Sequence, residues 1–298
     1  MAESDKKYSI LEEIQKCSGY EIALMTTFNF EIPYFERAIL SALLSGGVRK
    51  VSVFADAGEF SKSLQDVDSC HLGRKYIVNP VRINSSFHPK VILLLGESRA
   101  KLIVGSANLK ASGYTMNHEI FNFIEYSSEH KEYLDVIVDA INFFRQINEQ
   151  TDQLDRALLQ EATQYTYYHR TKKNDEISLL HNIKEPVITQ VKSLIPDPVE
   201  EIMVAVPYYD NGLNALSGLS DLYPNATLHL YIQDEKSTFP VNHFKSLEIN
   251  AKISCFDGIS GAASSFRTNF YHGKVILLNP RSGHTSYMGA QTVHKQRS

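Results

Sequence analysis

Two short blocks constrain this chain more than any other feature. Residues 88–94 read HPKVILL, and residues 272–278 read HGKVILL, 184 positions later with one residue changed. Residues two apart on a strand share a face, so His88 projects with Lys90 and His272 with Lys274. Each block therefore predicts an imidazole beside an ammonium at the head of an apolar strand. The first block continues into a second apolar run, Leu102–Val104, after a turn at Gly96-Glu97-Ser98. Gly105-Ser106-Ala107-Asn108 follows, and Glu119 closes the set. A repeat with similar spacing from the first strand of each half, Ile22 to His88 and Ile202 to His272, argues for an internal duplication.

The rest of the pattern fits two copies of one α/β unit. In the first half, Ser9–Cys17 predicts a short amphipathic helix, and Tyr20–Phe28 and Lys50–Ala55 predict strands. Ile32–Ser45 has Pro33 near its start and Gly46-Gly47 after its end, the punctuation of a helix. Weaker strand signals lie at Lys75–Val78 and from Val81. Ile120–Tyr126 predicts a strand and Glu129–Phe144 a helix. Residues 147–173 are polar and predict a helix running into a linker. Tyr165, Tyr167, Tyr168, His169, Arg170, Lys172 and Lys173 there read as a solvated linker, with nucleic-acid contact as the sharper alternative. In the second half, Val187–Leu194 and Leu213–Leu222 predict helices, and Ile202–Val206, Thr227–Ile232 and Ile253–Phe256 predict strands. Strands alternating with helices indicate layered α/β architecture. The expected division is 1–146 for the first half, 147–186 for a helical and polar linker, and 187–298 for the second half.

Composition narrows the function. The chain has 298 residues, 43% of them hydrophobic and 21% charged, as a packed globular protein requires. A net charge of -4 advertises no global attraction to polyanions, though a local basic groove is compatible with it. Cys17, Cys70 and Cys255 have no ligand-like spacing and suggest free thiols in a reducing compartment. The charged N-terminus has no apolar signal core, and no apolar run approaches a membrane span, so a cytoplasmic protein is expected. Nothing matches the usual zinc, P-loop or dinucleotide motifs, and no cofactor is assigned.

The chemistry read from the blocks is phosphate chemistry. A lysine is a suitable point charge for a phosphate oxygen. A Gly-Ser-x-Asn turn offers a hydroxyl, an amide and backbone donors to the same anion. A lone HxK is usually structural. The weight here comes from the whole set, His88, Lys90, Gly105, Ser106, Asn108 and Glu119, with His272 and Lys274 recurring in the second copy.

The set resembles the signature of the phospholipase D superfamily, HxKxxxxD followed by GSxN, in its compact nuclease-like branch. His88, Lys90, Gly105, Ser106 and Asn108 match the first copy; His272 and Lys274 match the second. The resemblance implies two tandem halves, each a mixed β-sheet flanked by helices, packed as a pseudo-twofold pair. It also implies a phosphodiesterase that needs no metal, in which one histidine attacks phosphorus and the other protonates the leaving oxygen and then activates water. Neutral imidazole is a competent nucleophile near neutral pH, and its protonated form is a suitable acid. Two departures stand out. Leu95 and Asn279 replace the motif aspartates, and Gly289-Ala290-Gln291-Thr292 stands where the second GSxN belongs. Glu119 is the one candidate for an orienting carboxylate, so His88 is read as the nucleophile and His272 as the acid, with the reverse order left open by their coupling.

The expected activity is a nuclease on DNA or RNA, in restriction or anti-phage defence by family analogy. A helicase or other defence-system protein and a second copy of the chain are the candidate partners, and no membrane is expected. Arg82, Lys101, Lys110 and Arg267 are candidate backbone contacts. A phospholipase-type lipid hydrolase and a degenerate domain that only binds nucleic acid or a partner are the alternatives. His118 is read as structural, facing away from Asn117 and Glu119. His71, His130, His181, His243, His284 and His294 take no role.

Overall fold

The computed structural model describes residues 9–16, 18–65, 67, 71–84, 86–127, 129, 131–152, 155–165, 177–196, 198–256, 270–280, 286–289 and 292–295. The chain divides into two compact units. One comprises Met1–Thr115 and Phe123–Lys172, the other Met116–Asn122 and Lys173–Ser298.

The first unit runs α1 (Ile10–Gln15), β1 (Ile22–Thr27), α2 (Ile32–Tyr34), α3 (Ser41–Ser45), β2 (Lys50–Asp56), α4 (Ala57–Ser63), β3 (Ile77–Val81), β4 (Val91–Leu95), β5 (Arg99–Gly105), β6 (Phe121–Ser127), α5 (Leu134–Asn148) and α6 (Arg156–Tyr165). Local chemistry sets several of these boundaries. Ser9 caps α1, its hydroxyl accepting from Glu12 N at 3.4 Å. The helix predicted over 32–45 forms, but Phe35–Leu40 winds as a π-turn between α2 and α3, burying Phe35, Ile39 and Leu40. The Asp56 carboxylate caps α4 by accepting from Gly58 N and Glu59 N, and its second oxygen accepts from Phe87 N at 3.0 Å. The sheet order is β3-β2-β1-β4-β5-β6. The first three strands are parallel and β4 is antiparallel to β1. β1 is buried along its whole length, as its continuous apolar run requires of a central strand covered on both faces.

The second unit runs β7 (Ile177–Leu179), α7 (Val187–Leu194), β8 (Val199–Ala205), α8 (Asn214–Leu222), β9 (Thr227–Gln233), α9 (Val241–Phe244), β10 (Ala251–Phe256), β11 (Val275–Pro280), β12 (Ser286–Gly289) and β13 (Thr292–Lys295). Its sheet order is β10-β9-β8-β11-β12-β13-β7. Again three parallel strands are followed by one antiparallel to the first. The duplication read in the sequence is thus a duplication of topology. Here the central strand β8 alternates from Ile202 onward: Ile202 and Val204 are buried while Met203 and Ala205 are half-buried, because Ile202, Val204, Leu228, Leu230 and Leu278 pack in one core with Val191, Leu216 and Leu219 of the helices. At about 25 cal/mol per Å² of apolar surface removed from water, such a core supplies most of what holds a unit of this size together.

No helix among the described residues is long and apolar enough to cross a membrane. The basic cluster at 167–173 and Arg267 lie outside the described residues, whereas the Tyr165 hydroxyl donates to Glu21 Oε2 at 2.9 Å. Lys101 is not a surface contact. It is buried in ion pairs with Glu13 at 3.1 Å and Glu125 at 2.9 Å, because its strand position points into the fold.

Candidate active site

In the first unit the HxK residues lie in the extended stretch just before β4, not within the strand. The Lys90 ammonium donates to the His88 carbonyl at 2.7 Å and to His88 Nδ1 at 2.8 Å. Lysine has no acceptor, so Nδ1 receives that bond and carries no proton in this geometry. Lys90 is 8% exposed while His88 is exposed. The site thus presents an open imidazole on a buried cation.

The Gly-Ser-x-Asn turn is tied to this point from below. Gly105 N donates to the Lys90 carbonyl at 3.0 Å, and Ser106 is buried. Asn108 faces inward. Its Oδ1 accepts from Phe28 N at 3.2 Å and Asn29 N at 3.1 Å. Thr27 Oγ1 accepts from Leu109 N at 3.1 Å, and Thr26 Oγ1 accepts from Val91 N at 2.8 Å. This network fixes the loop after β1, and that loop lays the Phe28 ring on His88 at 4.7 Å between centroids. The amide oxygen of Asn108 therefore builds the loop.

In the second unit, His272 and Lys274 likewise precede their strand, β11. Lys274 Nζ donates to the His272 carbonyl at 3.0 Å and lies 3.5 Å from Nε2. Burial pushes its ammonium down to about 8, with Glu119 opposing the shift. Glu119 arrives on Met116–Asn122, the stretch that groups with this unit. That stretch is stitched beside the histidine by main chain: His118 N donates to the Phe270 carbonyl at 3.0 Å, and His272 N to the His118 carbonyl at 2.9 Å. The Glu119 carboxylate then accepts from His272 Nδ1, at 3.0 Å to Oε1 and 2.9 Å to Oε2. Its side chain is 3% exposed and that of His272 12%. Asn117 Nδ2 donates to Glu119 Oε1 at 3.2 Å, and Tyr271 N to Gln233 Oε1 at 2.9 Å.

This pairing corrects one inference. The carboxylate was expected to prepare His88; it sits on His272, across 153 residues of sequence. Sequence proximity misled because Glu119 follows the first GSxN in the chain yet packs in the second unit. His118 contributes its backbone to the same arrangement.

The second copy of the phosphate turn is replaced in the sequence by Gly289-Ala290-Gln291-Thr292. Gly289 ends β12 and pairs with Thr292 at the start of β13, which leaves two residues between the strands where the first copy has its GSxN turn. Those two, Ala290 and Gln291, lie outside the described residues. The hydroxyl support is gone too: the residue paired with Val275 is Ala205, where the first unit has Thr26 bonded to Val91.

Sequence reasoning passed over the aromatic residues. Phe28 in the first unit, and Tyr208 and Phe270 in the second, flank the histidine rings, the latter two at 6.0 and 5.7 Å from His272. The available signal was their place: Phe28 and Tyr208 each stand just past the first parallel strand of a sheet.

No protein-family model and no curated protein matches the chain. Solved structures do. A variant of yeast tyrosyl-DNA phosphodiesterase superposes with a TM-score of 0.57 at 10% identity, covering 93% of this chain and 78% of that one. Polyphosphate kinase from Porphyromonas gingivalis gives 0.51 at 11% identity, covering 97% of this chain; the chain spans only 45% of the kinase. Likeness at these identities speaks to the fold. The chain shares the fold of yeast tyrosyl-DNA phosphodiesterase, which the two mixed sheets of its two units build.

Proposed function

We propose that the chain is a phosphodiesterase of nucleic acid that works through a covalent phosphohistidine and needs no metal. The observation that carries the reading is the buried Glu119 carboxylate on His272 Nδ1. A carboxylate there fixes the ring's tautomer, leaves Nε2 for chemistry, and stabilises the imidazolium that forms when Nε2 holds a proton. That is the equipment of a general acid. His88, its Nδ1 accepting from the Lys90 ammonium, is held neutral, the form that attacks. The assignment of His88 as nucleophile and His272 as acid thus rests on the lysine and not on Glu119.

In the first step the His88 Nδ1 lone pair exchanges the Lys90 N–H for phosphorus and forms a P–N bond while Nε2 keeps its proton, the P–O bond to the leaving group breaks, and the His272 Nε2 proton passes to the departing oxygen. In the second, His272 takes a proton from water, the hydroxide forms a P–O bond, and the P–N bond breaks to return the electron pair to His88. Lys90 and Lys274 offset charge gathering on the phosphoryl oxygens, with Gly105 and Ser106 beside Lys90. The carried-over setting, restriction or anti-phage defence with a helicase or a second copy as partner, belongs to the same proposal. So does nucleic acid over lipid, supported by yeast tyrosyl-DNA phosphodiesterase as a fold neighbour.

The test is incubation with single- and double-stranded DNA and RNA, and with phospholipid vesicles, in excess EDTA, wild type beside His88→Ala. Cleavage of nucleic acid that persists in EDTA and vanishes in the variant is expected. Cleavage abolished by EDTA, or vesicle turnover alone, contradicts the proposal. A second reading, a domain that binds nucleic acid without cutting it, is favoured by the replaced second phosphate turn. Binding by wild type with no cleavage, unchanged in His88→Ala, selects it.

A further inference from the structure

The duplication has been selective in what it kept. The second unit has lost the Gly-Ser-x-Asn turn and the Thr26 equivalent. It has kept the histidine, the lysine and an aromatic ring after the first parallel strand: Phe28 follows β1 and Tyr208 follows β8. Tyr208 is not a core residue. It is 53% exposed, the most exposed of the large hydrophobic side chains among the described residues.

An exposed ring would usually swing freely, but this one is mounted on a fixed support. Tyr208 forms a β-bridge with Thr238. On one side Thr238 N donates to the Pro207 carbonyl at 3.1 Å, and on the other Tyr209 N donates to the Thr238 carbonyl at 3.1 Å. Tyr209 is itself buried against Phe239 at 5.0 Å. The Tyr208 ring stands edge-on to His272 at 69° and packs on Phe270 at 6.1 Å. Burial and the Glu119 carboxylate both push its phenol pKa up, so the ring stays neutral wherever the histidine works.

We propose that Tyr208, backed by Phe270, is a stacking platform for the nucleobase next to the phosphate that His272 serves, and that the substrate is therefore single-stranded. The inference rests on the phosphodiesterase reading and extends it to the strandedness of the substrate. A ring held rigidly in water loses little conformational freedom when a base covers it, and every base offers a π-face, so the contact tolerates any sequence. In a duplex the base is already stacked between its neighbours and would first have to be pulled out.

The test compares two single strands of equal length and charge in excess EDTA: an oligothymidylate, and the same backbone built wholly of abasic residues. Wild type, Tyr208→Phe and Tyr208→Ala are assayed with both, after circular dichroism has shown that the variants fold. Wild type is expected to favour the base-bearing strand by about tenfold in kcat/KM, from the usual worth of one aromatic–base stack. Tyr208→Phe keeps that ratio and Tyr208→Ala brings it to about one. If wild type cleaves both strands equally well, or if Tyr208→Ala slows both while the ratio holds, the ring merely positions His272 and the proposal is overturned. If wild type cleaves neither these strands nor their ribose counterparts, the phosphodiesterase reading itself fails and takes the platform with it.

Discussion

Lys274 makes opposite demands on the protein at different pH. Burial lowers its ammonium pKa from the ordinary 10.5 to about 8 in the folded chain. Between those values the unfolded chain binds more protons than the folded one, so through this group stability rises with pH across that window. Below about pH 8 the penalty of the buried charge is fully present. Lys274→Met is accordingly expected to raise the thermal midpoint at pH 7 while removing cleavage; a lowered midpoint would contradict the burial argument. In the wild type, cleavage should fall as pH passes about 8 even as this contribution to stability grows, which a pH–rate profile beside thermal melts will separate. Glu119→Gln keeps the shape of the side chain and removes its charge. A drop in kcat of roughly a hundredfold is expected, with the melting temperature little changed, in line with the usual worth of general acid–base assistance. Activity equal to wild type would show that the carboxylate is not part of the chemistry.

At the scale of elements, the loop after β1 is the piece that makes the first site, and Asn108 holds it. Asn108→Ala leaves Phe28 N and Asn29 N without their acceptor and should destabilise the fold by about 1–3 kcal/mol in denaturant titration, with a loss of activity as Phe28 leaves His88. The turn between β4 and β5 depends on Gly96. A Cβ there would lie 2.1 Å from the Gly19 carbonyl oxygen, so Gly96→Ala has to move backbone and should destabilise by about 1–3 kcal/mol. Elements of this kind were readable where pattern alone decides them. β4, α7 and β9 follow their apolar periodicity closely. β12 and β13 were not readable, because four-residue strands leave too short a pattern. The HxK residues were placed on strands by the apolar run that follows them; the run begins the strand and the motif sits outside it.

For the whole molecule, the repeated block revealed two copies of one topology, since strand order and direction follow from apolar runs and helix punctuation that each copy carries for itself. The candidate residues were legible as types. Their partnerships were not. Nothing in the spacing of Glu119 points to His272, because the contact is made by Met116–Asn122 grouping with the second unit, and sequence order carries no sign of that. The inward turn of Asn108 was hidden for the same reason: its partners are the main-chain N–H groups of Phe28 and Asn29, which have no residue type to read. Division of labour between the copies follows from these two facts. The first holds an exposed histidine beside a buried lysine on a built loop, and the second a buried carboxylate–histidine pair.

That division is tested most directly by trapping the intermediate. A His272→Asn variant keeps the proposed nucleophile but can neither protonate a leaving oxygen nor pull a proton from water, so incubation in excess EDTA with a phosphate-labelled single strand ending in a p-nitrophenyl ester, whose leaving group needs no proton, should leave label on the protein. Peptide mapping under alkaline conditions, which preserve a P–N bond, should place it on His88. No trapped label, with cleavage continuing in the variant, or label mapped to another residue, would contradict the account.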